Sequence, residues 1–232
     1  GLAIFDDPNI DVTLASGGGD YFIPSAAGIE LNNGTLRING NEIGLSISGR
    51  LNITGGTFNI GDTEGENNYI EYGGGSSPKI DISGGTLLVG SQIRRNLSSL
   101  GGSLDYRQSG GDVIIGRYSA PAASRGMLEV LNSGSRFDHT GGTLTFVRSI
   151  SSSTIPSLLL LPDNSNVSSA SEIVIGNADS PSGAEIQNFS IESGIPLNSL
   201  TISSNNDPVV NLITIDLQLN GDLTIGAGAT LN

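Results

Sequence analysis

His139 is the only histidine and directly follows Asp138, so a Ser-His-Asp relay is the first chemistry to weigh. Serines are plentiful, but none stands in the G-x-S-x-G turn that would present it as a nucleophile. Asp62, Glu64 and Glu66 alternate in GDTEGENN as the carboxylates of a calcium loop do. The Gly at the sixth place and the Glu at the twelfth that an EF-hand needs are missing, and no G-G-x-G-x-D repeat recurs. A solvated acidic loop is the expectation there, with a cation site as the sharper alternative. Abstracting a proton beside a uronate carboxylate would require a base and concentrated positive charge. Lys79 is the only lysine and Arg94-Arg95 the only basic doublet. A glycoside hydrolase would require carboxylates converging on one face; Asp81 and Asp138 share a face but sit two repeats apart with Arg107 between them. Tyr69 and Tyr72 flank Glu71 and suggest a glycan contact, although tyrosines so placed more often pack on the coil. No catalytic, cofactor-binding or metal-ligating residue is assigned from the sequence.

The composition points the same way. The 232 residues include 34 Gly and neither Cys nor Trp, which removes disulfides, thiolate catalysis and indole sugar platforms. Ten Lys+Arg against 23 Asp+Glu leave a formal charge of −13, the wrong sign for a phosphate backbone or an anionic membrane surface. No unbroken apolar stretch is longer than Leu158 to Leu161, too short for a spanning helix.

What must position any such residues is a repeat. LNITGGTFNIG (51–61), IDISGGTLLVG (80–90), YRQSGGDVIIG (106–116) and FDHTGGTLTFV (137–147) align without gaps. Weaker copies lie at 29–39, 171–176, 198–202 and 220–226. Their markers, Gly34, Gly56, Gly85, Gly111, Gly142, Ser171, Asn198 and Gly221, recur roughly every 22 to 31 residues, as turns of one coil with variable loops would. Apolar residues alternate on both sides of each Gly-Gly, which reads as strand, bend, strand. Stacking identical corners predicts an all-β, right-handed parallel β-helix of about eight or nine turns. Equivalent positions then form ladders: Leu51, Ile80, Tyr106, Phe137 and Ile53, Ile82, Gln108, His139 inward; Asn52, Asp81, Arg107, Asp138 outward. On this alignment His139 is a core imidazole hydrogen-bonded to the Gln108 amide, and Arg107 bridges the aspartates of adjacent turns. The segments 62–79, 91–103, 117–126 and 149–169 read as loops on one side, with Pro121, Pro156 and Pro162 outside the strands. Residues 1–28 stand outside the repeat as an initial turn or cap, and 29–232 form the β-helix, expected to be an excerpt of a longer chain.

The cores GGTLxxG, with NSLTISSNN and LQLNGDLTIGAGATLN near the end, resemble the Gly/Asn/Thr-rich repeats of large exported surface proteins of the Bacteroidetes, gliding-motility adhesins among them, and of autotransporter passengers. The resemblance runs from about Ile29 onward. It implies a bacterial cell-surface or secreted location and a rigid structural or adhesive segment without catalytic residues or cofactors. It implies as partners other segments of the same long chain, secretion machinery, neighbouring surface proteins or glycans, and neither nucleic acid nor membrane insertion. A polysaccharide-binding or polysaccharide-degrading β-helix is the alternative.

Overall fold

The computed structural model describes residues 1–15, 18–73, 78–96, 100–119, 124–150, 155–183, 187–213 and 216–232; Gly17, Gly74, Gly75 and Pro121 lie outside them. The described residues form strands and no helix, and every strand pairing is parallel. The chain coils into a parallel β-solenoid in which three short strands make one turn, so the strands stack in three faces.

The first face stacks Leu2–Phe5, Gly28–Leu31, Arg50–Ile53 and Lys79–Ile82, followed by parts of Asp105–Ile115, Leu128–Phe146 and Leu158–Val167. The second runs from Asp11–Ala15 through Thr35–Asn39, Thr57–Ile60 and Thr86–Val89 to Ser171–Ile175, Ser199–Ile202 and Leu223–Ile225. Its nine layers, spaced by about 4.8 Å, span about 40 Å. The third face stacks Tyr21–Ile23, Leu45–Ile47, Ile70–Tyr72, Ile93–Arg95 and then the starts of Leu128–Phe146 and Leu158–Val167. Asn188–Ser193, Val209–Leu212 and Thr230–Leu231 complete it.

The register follows the repeat alignment residue for residue. Leu51, Ile80, Tyr106 and Phe137 are successive Cα partners, as are Ile53, Ile82, Gln108 and His139. All eight are buried, because alternate residues of each strand point into a core shared by all three faces. Tyr106 and Phe137 stack along the axis with centroids 5.3 Å apart, a geometry that adds to their area burial.

The corner between the first and second faces is set by its glycines. A Cβ on Gly84 would lie 2.4 Å from the Thr54 carbonyl oxygen of the preceding turn, and one on Gly110 2.5 Å from that of Ser83. The second glycine of each pair takes a left-handed conformation, with φ of +68° at Gly56, +67° at Gly85 and +69° at Gly111.

Three expectations are corrected. The segments 62–79, 91–103 and 149–169 are not plain loops: they contain Ile70–Tyr72, Ile93–Arg95 and Leu158–Val167, which build the third face. The remaining insertions emerge at two corners, before and after that face, because only the Gly-Gly corner is held to constant length by backbone contact. Pro162 lies inside Leu158–Val167, opposite Asn132, where the register shifts and no ladder donor is needed. Of the initial turn or cap expected at 1–28, the structure holds a turn: Leu2–Phe5, Asp11–Ala15 and Tyr21–Ile23 supply one strand to each face. At the opposite end, Leu223 and Ile225 continue the inward rows of Leu200 and Ile202 yet are 44% and 45% exposed.

Candidate functional site

Charge is organised on the outer surface of two faces. On the first face the row Asn52, Asp81, Arg107, Asp138 forms as the alignment predicts, but Arg107 does not bridge the aspartates of adjacent turns. Its guanidinium takes both oxygens of Asp105, two residues back on its own strand, at 2.8 Å. Lys79 likewise reaches Asp81 at 2.6 Å and Arg136 reaches Asp138 at 2.6 Å. Residues i and i+2 share a face, so a strand-mate lies within easy reach of a long side chain. The hydrogen bonds that Arg107 donates to Asp105 raise its pKa; burial, the next-largest effect, opposes them, and the fields of Asp105, Asp138 and Asp81 add to the rise. Asp81 and Asp138 are thus each engaged by a cation.

The third face carries a denser cluster that the alignment missed. Its outward row runs Ser46, Glu71, Arg94, Glu129, and residues 124–127 fold back over it. Gln92 donates to the Arg125 and Gly126 carbonyls at 2.7 and 2.9 Å, while Gly126 N–H donates to Glu129 at 3.0 Å. Under this flap, Glu71 accepts from Arg94 at 3.2 Å and from Arg125 at 2.9 Å. Glu129 takes Arg95 through two contacts of 2.9 and 3.3 Å. Arg94, Arg125 and Glu129 are all buried, though they lie outside the coil. Burial first, and the Arg125 guanidinium second, lower the Arg94 pKa. The basic doublet flagged in the sequence therefore lies in a strand and its charges are neutralised. The missing signal was register, since Glu71, Arg94 and Glu129 line up only once Ile70, Ile93 and Leu128 are known to stack.

Tyr69 is half-buried and packs on the coil. The Arg94 guanidinium sits 3.7 Å from its ring centroid, Gly44 packs against its Cδ2–Cε2 edge, and its hydroxyl donates to Asp20. Tyr72 is fully buried and donates to the Glu129 carbonyl.

His139 points inward, stacked on Gln108, but its partner is not that amide. Its Nε2–H donates to the Gly142 carbonyl at 3.2 Å, while Gln108 donates to Gly111 and Thr143 carbonyls and accepts from the Tyr106 hydroxyl. Burial pushes the His139 pKa down to about 4, opposed by the bond to Gly142. In the acidic loop, Asp62 accepts from Asn39 and Thr63, and Glu64 accepts from Arg148 at 2.8 Å. Among the described residues no three His, Asp or Glu are grouped so as to hold a metal ion.

No protein-family model matches the chain, and no curated protein or solved structure matches it either.

Proposed function

We propose that the chain is a rigid spacer within a bacterial cell-surface or secreted filament, with the loops at two corners available for contacts to neighbouring chains or glycans. The observation that carries this reading is the continuity of the stack. The Gly-Gly corner and the inward rows repeat layer after layer, and no layer departs from parallel pairing. A coil of this kind transmits load through a summed ladder of backbone bonds, each worth about 1 kcal/mol net. The likeness of its GGTLxxG cores to surface-adhesin repeats supports export, as does an acidic composition that keeps long chains soluble.

Pulling the two ends apart in an optical trap tests the mechanical reading. One turn of about 27 residues holds roughly 90 Å of contour length, so extension should proceed in steps near that size as single turns peel away. A single low-force rupture releasing the whole chain would rule out a spacer made of semi-independent layers. Immunolabelling of unpermeabilised cells tests the surface location separately.

A further inference from the structure

We infer that Asn33 is a site of spontaneous modification, where the side-chain amide is lost through a cyclic imide with Gly34 that opens to aspartate and isoaspartate. The chain holds Asn-Gly pairs at 33–34, 39–40 and 220–221. A glycine has no side chain to shield its main-chain nitrogen, so each pair can react in an unfolded chain. The fold decides which of them keeps that reactivity.

Asn33 and Gly34 turn the corner between the first and second faces, where the next layer has Gly55 and Gly56. Gly55 must be glycine, since a Cβ there would lie 2.2 Å from the Asn32 carbonyl oxygen of the preceding layer. Asn33 escapes that limit. The corner before it runs over 6–10 and is longer than 32–34, so it stands off far enough to admit a side chain, and Asn33 is exposed. Gly34 has no such freedom: its φ is +78°, and a Cβ would lie 2.7 Å from both the Asp7 and the Ile10 carbonyl oxygens. The layer thus joins a permitted asparagine to an obligatory glycine.

The same corner leaves the reacting groups unengaged. Gly34 N–H makes no hydrogen bond among the described residues, although Asn33 and Thr35 on either side donate to the Phe5 and Ile10 carbonyls. The Asn33 Nδ2 donates to Asp6 at 3.1 Å, and its Oδ1 accepts nothing among the described residues. At 220–221 the nucleophile is tied up, because Gly221 N–H donates to the Asn198 carbonyl at 3.0 Å. At 39–40 the Gly40 N–H is unpaired among the described residues, but Asn39 is half-buried at a strand end with its amide held by Asp62, so water reaches it less readily.

In the reaction the Gly34 nitrogen attacks the Asn33 Cγ. The new N–Cγ bond closes the imide, the Cγ–Nδ2 bond breaks, and the proton shed by Gly34 leaves with Nδ2 as ammonia. Water then opens the ring. Cleavage of the new bond gives aspartate, and cleavage of the main-chain bond to the Asn33 carbonyl carbon gives isoaspartate; nothing is oxidised or reduced. Isoaspartate lengthens the main chain where layers already touch: a Cβ on Gly56 would lie 2.5 Å from the Gly34 carbonyl oxygen and 2.8 Å from the Asn33 carbonyl carbon. The rungs from Thr35 N–H to Ile10 and from Thr57 N–H to Gly34, at 2.7 and 2.9 Å, must then stretch. The conversion needs no enzyme, so the isoaspartate fraction grows with the age of the molecule and loosens that corner. The site lies beyond the spacer reading and does not depend on it.

The test is incubation of the full chain at mildly alkaline pH, folded and in parallel unfolded in urea. Peptide mapping by mass spectrometry follows each Asn-Gly pair, and enzymatic methylation counts isoaspartate. In urea all three pairs should convert alike. In the folded chain Asn33 should convert close to its rate in urea and Asn39 more slowly. Asn220 should be slower than Asn33 by about fivefold or more, the factor that one net backbone bond is worth. Asn33→Ser should remove most of the isoaspartate formed by the folded chain, with thermal melts showing the variant folded. The isolated isoaspartate form should melt several degrees below both the unreacted chain and Asn33→Asp, which carries the charge without the longer main chain. An Asn33 that stays inert in the folded chain while converting in urea, or an Asn39 or Asn220 that keeps pace with it, would overturn the inference. Equal melting of the isoaspartate form and Asn33→Asp would overturn the account of the loosened corner.

Discussion

The two glycines of each corner do different work, and alanine substitutions separate them. Gly85 needs its left-handed φ of +67°, but Gly84 has no positive φ; its constraint is the Thr54 carbonyl 2.4 Å from its absent Cβ. A methyl there must retreat by about 1.0 Å to reach ordinary contact, which stretches the adjacent rungs, Ser83 N–H to Ile53 and Thr86 N–H to Gly56, from 2.9 Å towards about 3.9 Å. Two lost rungs at about 1 kcal/mol each, with the strain of overpacking, put Gly84→Ala at about 3 kcal/mol. Gly85→Ala adds about 1–2 kcal/mol of left-handed strain to a similar clash. Gly65→Ala meets the strain alone, because φ is +87° but nothing lies within 4 Å. Gly221→Ala, whose neighbours are the movable side chains of Ser199 and Asn198, should cost least. Urea melts followed by far-UV circular dichroism should rank stability loss as Gly85, Gly84, Gly65, Gly221. If Gly84→Ala costs no more than Gly65→Ala, the argument from close approach of successive turns is wrong.

Glu129→Ala should lower stability by about 3 kcal/mol, because it removes the buried carboxylate of the pair, leaves half-buried Arg95 without it and releases the Gly126 N–H. Accelerated hydrogen exchange at residues 124–127 checks it, and unchanged exchange there would mean the flap is held by other contacts. His139 titrates in the opposite sense to a salt-bridged histidine. Its folded pKa, about 4, lies below the unfolded 6.5, so its contribution is complete above pH 6.5 and is lost as pH falls towards 4. The loss amounts to about 3 kcal/mol. His139→Gln, which can donate to Gly142 as Gln108 donates to Gly111, should remove that part of the pH dependence; parallel pH profiles for variant and wild type would refute the assignment.

Much of the coil was legible in the sequence because its two longer faces flank a corner that backbone geometry forces to be glycine. Ser171, Asn198 and Gly221 were recognised as weaker markers, and they do occupy the same column. The third face was hidden for a physical reason. Ile70–Tyr72 and Ile93–Arg95 are three residues each, too short for alternation to register, and the insertions around them vary in length. The partner choices were hidden for another. Alignment fixes which residues stand side by side, but Arg107 chooses Asp105 on its own strand over Asp81 and Asp138 beside it, and His139 chooses a corner carbonyl over Gln108. Those choices depend on side-chain reach, which repeats do not encode.

The placement of charge bears on the spacer reading. A three-residue strand brings little apolar area to the core, so the third face is where a turn would slip first. That is where the chain concentrates buried ion pairs, with Glu71, Arg94, Arg95, Arg125 and Glu129 interlocked across strands and pinned beneath residues 124–127. Against well-packed apolar residues such pairs add little stability, but breaking one is costly, so they penalise the wrong register more than they reward the right one. On the first face, where the core is continuous, the pairs are partly exposed and contribute about 0.2–1 kcal/mol each. A protein selected only for stability would have little use for that division. A rod that must keep each turn in step under axial load needs its strongest registry contacts where its strands are shortest.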